Sequence, residues 1–469
     1  MASNRRRPSR LKRLATAAAA FLLCAGTGAV YGQGLTASRE LSAASLERST
    51  RTSCPDANDD KTGILTLRDI FKLALCQSVT FRQAQATVAE QQASADLARA
   101  DFQPQVVLSN EVSGNRIPLG SDAGVVNAKS ASTFLGLSWV LFDFGQRDAL
   151  LNASREQLAS ALLGLDAGEL QAIADTLRLY VEAVAAWERL GVVAQAQDAA
   201  KQNLRIAQGR YEGQIGTLAD KLLAETTLAQ ANLESVRAAT AWDIARGALS
   251  LSLGRPVGRM LALDGWRKDA AETWDVGPVD TLAEEALQVH PRAQALKAEI
   301  RALESRAEAV RKEGFGSVSV NAGVGASRSL QGNSSTSRNL NGSVVYSIPF
   351  FRGNADNARR AQFEAQAEGR KAQYTGIERE LKLALWTAVR QLQADEESIA
   401  ASAAFLKSAT AGLDVTTGRY KAGVATLTEL LAAQTSLTTA KFQQSQAMVA
   451  LLGSKIRLVV ASGRLPIKF

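Results

Sequence analysis

Two long stretches of this chain contain no proline, from Pro118 to Pro256 and from Pro349 to Pro466, and both carry apolar residues every seven positions. In the first, Leu151, Leu158, Leu165, Ala172, Leu179, Ala186, Val193 and Ala200 recur in register; in the second, Leu385, Leu392, Ile399, Leu406 and Leu413 do so. A seven-residue repeat kept up this long describes helices packed along a coiled-coil seam. A helix from 148 to 208 would run about 90 Å, at about 1.5 Å per residue, which is far longer than an ordinary globular helix. Ala and Ser flank the Leu positions and permit close packing. Only 6% of the residues are aromatic, which suits extended helices better than a thick core.

Four short segments have a period of two instead. Val318, Val320, Ala322 and Val324 alternate with Ser317, Ser319, Asn321, Gly323 and Gly325. Leu340, Val344, Tyr346 and Ile348 alternate with Asn341, Ser343 and Ser347; Leu135, Leu137, Trp139 and Leu141 alternate with Gly136 and Ser138; Val106, Leu108 and Val112 share a face between Gln105 and Ser113. Each is the length of a tilted membrane strand with an apolar outer and a small or polar inner face. A half-buried soluble sheet would show the same alternation.

The chain also repeats itself. Ala74-Leu75 recurs as Ala286-Leu287, and Leu141-Phe142-Asp143-Phe144-Gly145 as Pro349-Phe350-Phe351-Arg352-Gly353. Arg210-Tyr211 with Thr217-Leu218-Ala219-Asp220 recurs as Arg419-Tyr420 with Thr426-Leu427-Thr428-Glu429. Each half reads as helix, β-hairpin, very long helix, turn, helix: one duplicated unit. Four strands cannot close around a pore, and open sheet edges are not tolerated in lipid. Other copies of the chain must complete the barrel, and three copies would supply twelve strands.

The N-terminus holds Arg5, Arg6, Arg7, Arg10, Lys12 and Arg13, then an apolar run from Leu14 to Val30 and small residues at Gly28–Gly32. This pattern describes a cleaved secretory signal over 1–32. Phe21-Leu22-Leu23 before Cys24 is too bulky for a lipidation box. The signal's six basic residues, with no acid among them, account for most of the formal net charge of +8. A nucleic-acid partner therefore loses its main support. Cys54 and Cys76 remain; in an oxidising compartment a Cys54–Cys76 disulfide is one expectation and two unpaired thiols the other.

The full division expected is a signal (1–32), an N-terminal arm (33–62), a first repeat (63–254, strands near 104–114 and 132–144), a linker (255–279), a second repeat (280–463, strands near 316–326 and 339–350) and a tail (464–469). Thr66-Leu67-Arg68-Asp69 reads as a capping box opening a helix that continues to Ala100.

Over 63–463 the duplication, the Leu-Phe-Asp-Phe-Gly-Gln-Arg segment and the two Tyr-x5-Thr-Leu-x-Asp/Glu turns together resemble the TolC family of outer-membrane channel-tunnel proteins. The resemblance implies a mainly α homotrimer: an α-helical barrel crossing the periplasm, continued by a shared 12-stranded β-barrel in outer-membrane lipid. Residues 255–279 and the tail would join an equatorial girdle. It implies partners too: a periplasmic adaptor and an inner-membrane ABC transporter or proton-driven pump. By the same resemblance the two turns form the entrance gate, with Tyr420 a linking tyrosine, Glu429 an acid of the pore ring and Asp220 its first-repeat partner. The ring's second acid is Ala432 here and the locking arginine is Ala425, so either the electrostatic constriction is weaker or Arg210 or Arg419 rebuilds the lock, with Tyr211 beside them. Gly213, Ile215, Gly216, Gly423, Val424 and Leu427 would form the adaptor-docking tips. Both acids also fit plain capping boxes.

No nucleophile–base pair emerges. Gly314-Phe315-Gly316 and Gly323-Val324-Gly325 do not stand between a strand and a helix, as a phosphate loop would. The single His290 and the lack of a CxxC pair argue against a metal site. The expectation is no enzyme, no cofactor and no metal: a passive exit duct, for type I protein secretion ahead of multidrug efflux. The rivals are a secreted coiled-coil structural or adhesive protein and an open porin.

Overall fold

The computed structural model describes residues 67–118, 125–257, 263, 266–267, 279–330 and 335–463. The signal, the arm, Cys54, Thr66 and the tail lie outside the described residues, as does most of the linker. The order is α1 (Leu67–Gln77), α2 (Val79–Ala100), β1 (Gln105–Pro118), β2 (Val125–Phe142), α3 (Gln146–Glu212), α4 (Leu218–Ser252), α5 (Val279–Val289), α6 (Pro291–Glu313), β3 (Ser317–Ser329), β4 (Thr336–Ser347), α7 (Ala355–Lys421) and α8 (Leu427–Ser462).

The two halves match element for element. Helices α3 and α7 are both 67 residues long, about 100 Å at about 1.5 Å per residue. None of the heptad residues is exposed; Leu151, Leu165, Ala172, Ala200, Leu385 and Leu392 are buried. A core at mid-length joins both halves. Tyr180 and Val184 of α3 pack with Ile70 and Leu73 of α1, Leu249 of α4, Val449 and Leu452 of α8, and Leu263 and Trp266 of the linker.

The helix expected to run unbroken to Ala100 is two helices. Ser78 adopts extended backbone and its Oγ accepts the Phe81 N–H at 3.2 Å, which starts α2 afresh. His290 makes the matching break before Pro291, also with extended backbone. Cys76, at the end of α1, is disulfide-bonded.

The four strands form one antiparallel sheet in the order β1-β2-β3-β4, with β1 and β4 at its edges. The strands differ from expectation at both ends. Pairing continues outward past the apolar alternation, through Gly114–Lys129 and Ile117–Val126, because the ladder needs backbone and not apolar side chains. β4 stops at Ser347, just before Pro349, which has no N–H to give. The register puts Val106 opposite Leu137, Leu135 opposite Val324, Trp139 opposite Val320, and Val320 opposite Val344. The alternating apolar residues within the paired strands therefore share one face, except Leu141, which a register shift between Val140 and Phe142 leaves unpaired, and Ile348 lies just past β4. That face is uncovered: Leu340 is 85%, Val112 79% and Val344 70% exposed. On the other face the Phe134 ring lies over Gly323 and Gly325, where a Cβ would collide with it.

The strand-to-helix corner explains the Asp-Phe-Gly-Gln-Arg segment. Asp143 is buried and accepts the N–H of Gly145 and Arg147, while its carboxylate pairs with Arg147 Nε at 2.7 Å. Phe144 and Gly145 take positive φ to turn the chain, and Gly353 and Asn354 do so in the second repeat. Among the described residues no helix is long and apolar enough to cross a membrane.

Candidate functional site: the paired helix tips

The two turns at the ends of α3 and α7 are built alike. Ile215 and Gly216 both donate their N–H to the Arg210 carbonyl at 2.9 Å; Val424 and Ala425 donate to the Arg419 carbonyl at 2.9 and 3.2 Å. Each turn contains one left-handed residue, Gln214 with φ 58° and Gly423 with φ 76°. Thr217 then caps α4, accepting the Asp220 N–H at 3.1 Å while Asp220 Oδ2 accepts the Thr217 N–H and Oγ1–H. Asp220 is thus held by a closed capping box. Thr426 caps α8 with half of that box: it accepts the Glu429 N–H at 3.2 Å, but the Glu429 carboxylate does not return the bond, so the second expected capping box is not closed. The Glu429 carboxylate stands 4.0 Å from Arg419 Nη2, with both side chains half exposed.

The two tyrosines differ. Tyr420 is only 5% exposed and packs with Ala207, Ala224, Ala425, Leu427 and Leu430. Arg210 Nη1 donates to the Tyr420 carbonyl at 3.2 Å, and its guanidinium lies 4.8 Å from the centre of the Tyr420 ring. This contact joins the tip of the first repeat to the tip of the second. Tyr211 is 40% exposed, with the Lys221 ammonium 5.6 Å from its ring centre.

Of the tip residues, Gly213, Ile215, Gly423 and Val424 are exposed. Leu427 is not: it is 2% exposed inside the Tyr420 cluster and cannot be presented to a partner. Its counterpart Leu218 is 51% exposed, and sequence reasoning overlooked it. Gly216 is half-buried, with room for no side chain: a Cβ would lie 2.9 Å from Arg210 Cβ. Ala425 is enclosed in the cluster beside Tyr420. The tips hold polar links and caps, with no arrangement suited to bond-making chemistry.

Known proteins agree with this architecture. A family model described as "outer membrane efflux protein" matches residues 70–255 and 282–464, one match for each repeat. Protein CyaE of Bordetella pertussis is 28% identical over 416 residues, 88% of this chain and 86% of its own. The CusC structure, described for folding and transmembrane channel formation, superposes with a TM-score of 0.75 at 18% identity, covering 85% of this chain and 92% of its own. The outer membrane protein VceC of Vibrio cholerae gives a TM-score of 0.71 at 18% identity, covering 85% and 96%. The outer-membrane channel OprN gives 0.73 at 18% identity, covering 85% and 89%. With both of its repeats matched, this chain belongs to the outer membrane efflux protein family of non-enzymatic, outer-membrane transport channels.

Proposed function

We propose that the chain is the exit duct of a tripartite export machine. Three copies join their four-stranded sheets edge to edge into one barrel, and their long helices continue the passage below it. The observation that carries this reading is the uncovered apolar face, aligned across all four strands between two open sheet edges. Its size suits a membrane. From Lys129 to Trp139 an extended strand runs about 34 Å, and tilted at about 40° it rises about 26 Å, close to the apolar band of an outer-membrane barrel. At the helix end Trp139 Nε1 donates to the Phe102 carbonyl and Tyr346 OH to that of Phe315, at 3.0 and 3.3 Å. Phe142, Phe144 and Phe315 cluster there, as an interfacial aromatic girdle would.

The tips are the entrance. Arg210, Tyr420, Arg419 and Glu429 hold it narrow, with Asp220 and Tyr211 flanking them. Ile215, Val424, Gly213 and Gly423, with Leu218, meet a periplasmic adaptor bound to an inner-membrane ABC transporter. Protein secretion is the cargo reading favoured by the Leu-Phe-Asp-Phe-Gly-Gln-Arg corner, where the resemblance leans to type I export. Multidrug efflux is the second reading, favoured by the family model's description as an efflux protein.

The test is Leu135→Asp and Val324→Asp, which place charge at the centre of the outer face. Each should abolish assembly of detergent-resistant oligomers in the outer membrane, since a charge facing lipid at mid-depth costs about 2–4 kcal/mol per copy or somewhat less for an acid. Normal assembly of either variant would show that this face does not meet lipid.

A further inference from the structure

The same register sorts the sheet's charges. Each strand carries one cation, Arg116 on β1, Lys129 on β2, Arg328 on β3 and Arg338 on β4. Arg116 pairs with Asn127 and Lys129 with Gly114; Arg328 pairs with Ala131 and Arg338 with Ala326. Counting by twos from these pairs, all four share the face of Val112, Leu135, Val324 and Leu340. The strands' one carboxylate, Glu111, stands on the opposite face. All four cations are exposed, and none has an ion-pair partner among the described residues.

The four also fall near one level. Each cation steps two residues along the sheet from its neighbour, and at the helix side β2 runs on to Phe142, beyond the Gln105–Ser138 pair, in the same sense. In a barrel strand tilted about 45°, points of equal height on neighbouring strands are offset by about 5 Å. That takes up most of a two-residue step of about 7 Å. The charges therefore form a band a few ångströms tall, just beyond the apolar wall and at the loop end of the sheet. Trp139 and Tyr346 close the wall at the other end.

We propose that Arg116, Lys129, Arg328 and Arg338 are a binding collar for the phosphate groups of anionic lipid headgroups on the outward side of the membrane. The inference rests on the barrel reading above. A cation beside an apolar wall selects an anion that brings its own acyl chains, since lipid tails cover the wall while the phosphate meets the charge. Long Arg and Lys stems lie along such a wall and deliver their heads to the interface. Each cation near an anionic lipid surface is worth about a fivefold change in binding.

The test uses the purified full chain in mixed micelles, with phosphatidic acid and the diacylglycerol of the same acyl chains as probes. The wild type should retain phosphatidic acid at least about tenfold better, and the preference should weaken at high salt. Inorganic phosphate should not displace the lipid. Replacing all four cations by Gln should bring the two lipids within about twofold, and the pair Arg328→Gln with Arg338→Gln should give an intermediate preference. Equal retention of both lipids by the wild type, or an unchanged preference in either variant, would overturn the collar. Displacement by inorganic phosphate at equal concentration would overturn the lipid as the ligand. Vesicle insertion is scored alongside: a wild type that inserts without preference loses only the collar, whereas one that never inserts loses the barrel reading as well.

Discussion

Arg210 Nη1 binds the backbone carbonyl of Tyr420 at 3.2 Å while its guanidinium covers the same residue's ring at 4.8 Å. One side chain of the first repeat thus holds one residue of the second by two contacts, at the place where the two inner turns meet. The equivalent pair is not formed, because Arg419 turns to Glu429 at 4.0 Å and the Tyr211 ring, 40% exposed, faces the Lys221 ammonium instead. A charged hydrogen bond to a buried carbonyl and a cation–π contact together are worth about 2 kcal/mol. An exposed pair at 4.0 Å is worth at most about 0.5 kcal/mol. Arg210→Ala should raise amide exchange in the 420–426 turn by about tenfold or more, while Arg419→Ala leaves it within about twofold. Hydrogen exchange read by mass spectrometry checks both.

Gly216 and Gly423 occupy similar turns and should respond differently. At Gly216 a Cβ would press on Arg210 Cβ and on backbone, whereas at Gly423 nothing lies within 4 Å and the cost is only the left-handed φ of 76°. Gly216→Ala should destabilise the tip by about 2 kcal/mol and Gly423→Ala by about 1 kcal/mol. Proteolysis at the tips, compared between the two variants, reads the order.

The Phe134 ring and the glycines beneath it form a matched pair on the inner face of the sheet. Gly323→Ala should reduce the heat stability of the assembled oligomer, and adding Phe134→Ala should restore it, because the space is then freed. Thermal dissociation followed by electrophoresis measures the rescue.

His290 supplies a pH dependence. It is buried, its Nδ1 has no hydrogen-bond partner among the described residues, and burial, then the charge of Arg292, hold its pKa below 6.5 against a smaller opposing effect of Glu380. The unfolded chain takes up this proton near 6.5 and the folded chain only at lower pH. The contribution is therefore complete above 6.5 and is lost progressively as pH falls below it. His290→Gln should flatten the fall of the melting temperature between about pH 7 and about pH 5.

Cys76 is disulfide-bonded, and Cys54 is the partner we propose for it. Mass spectrometry of unreduced peptides should find the two linked, and reduction should cost about 3 kcal/mol of stability. A free Cys54 in the mature protein would refute the pairing.

The long helices and the strands were legible because periodicity records burial directly: seven-residue spacing at Leu385 and Leu392, alternation at 317–325. The break at Ser78 was harder to see. Its cap depends on one serine in a pattern that otherwise continues as a helix. The tips were legible as turns and not as surfaces. Leu218 and Leu427 follow the same capping threonine, yet one is exposed and the other buried, because only the second repeat folds its turn against Ala207 and Ala224. Duplicated local sequence cannot report that tertiary difference. The Arg210–Tyr420 contact was hidden for the same reason, since it crosses between repeats.

Single-channel recording of the purified protein in a planar bilayer tests the duct most directly. The wild type should insert and conduct poorly without partners, and Arg210→Ala or Tyr420→Ala should raise its conductance several-fold as the tips part. A wild type that conducts like an open pore, or a conductance that neither substitution changes, would contradict an entrance held closed by these residues.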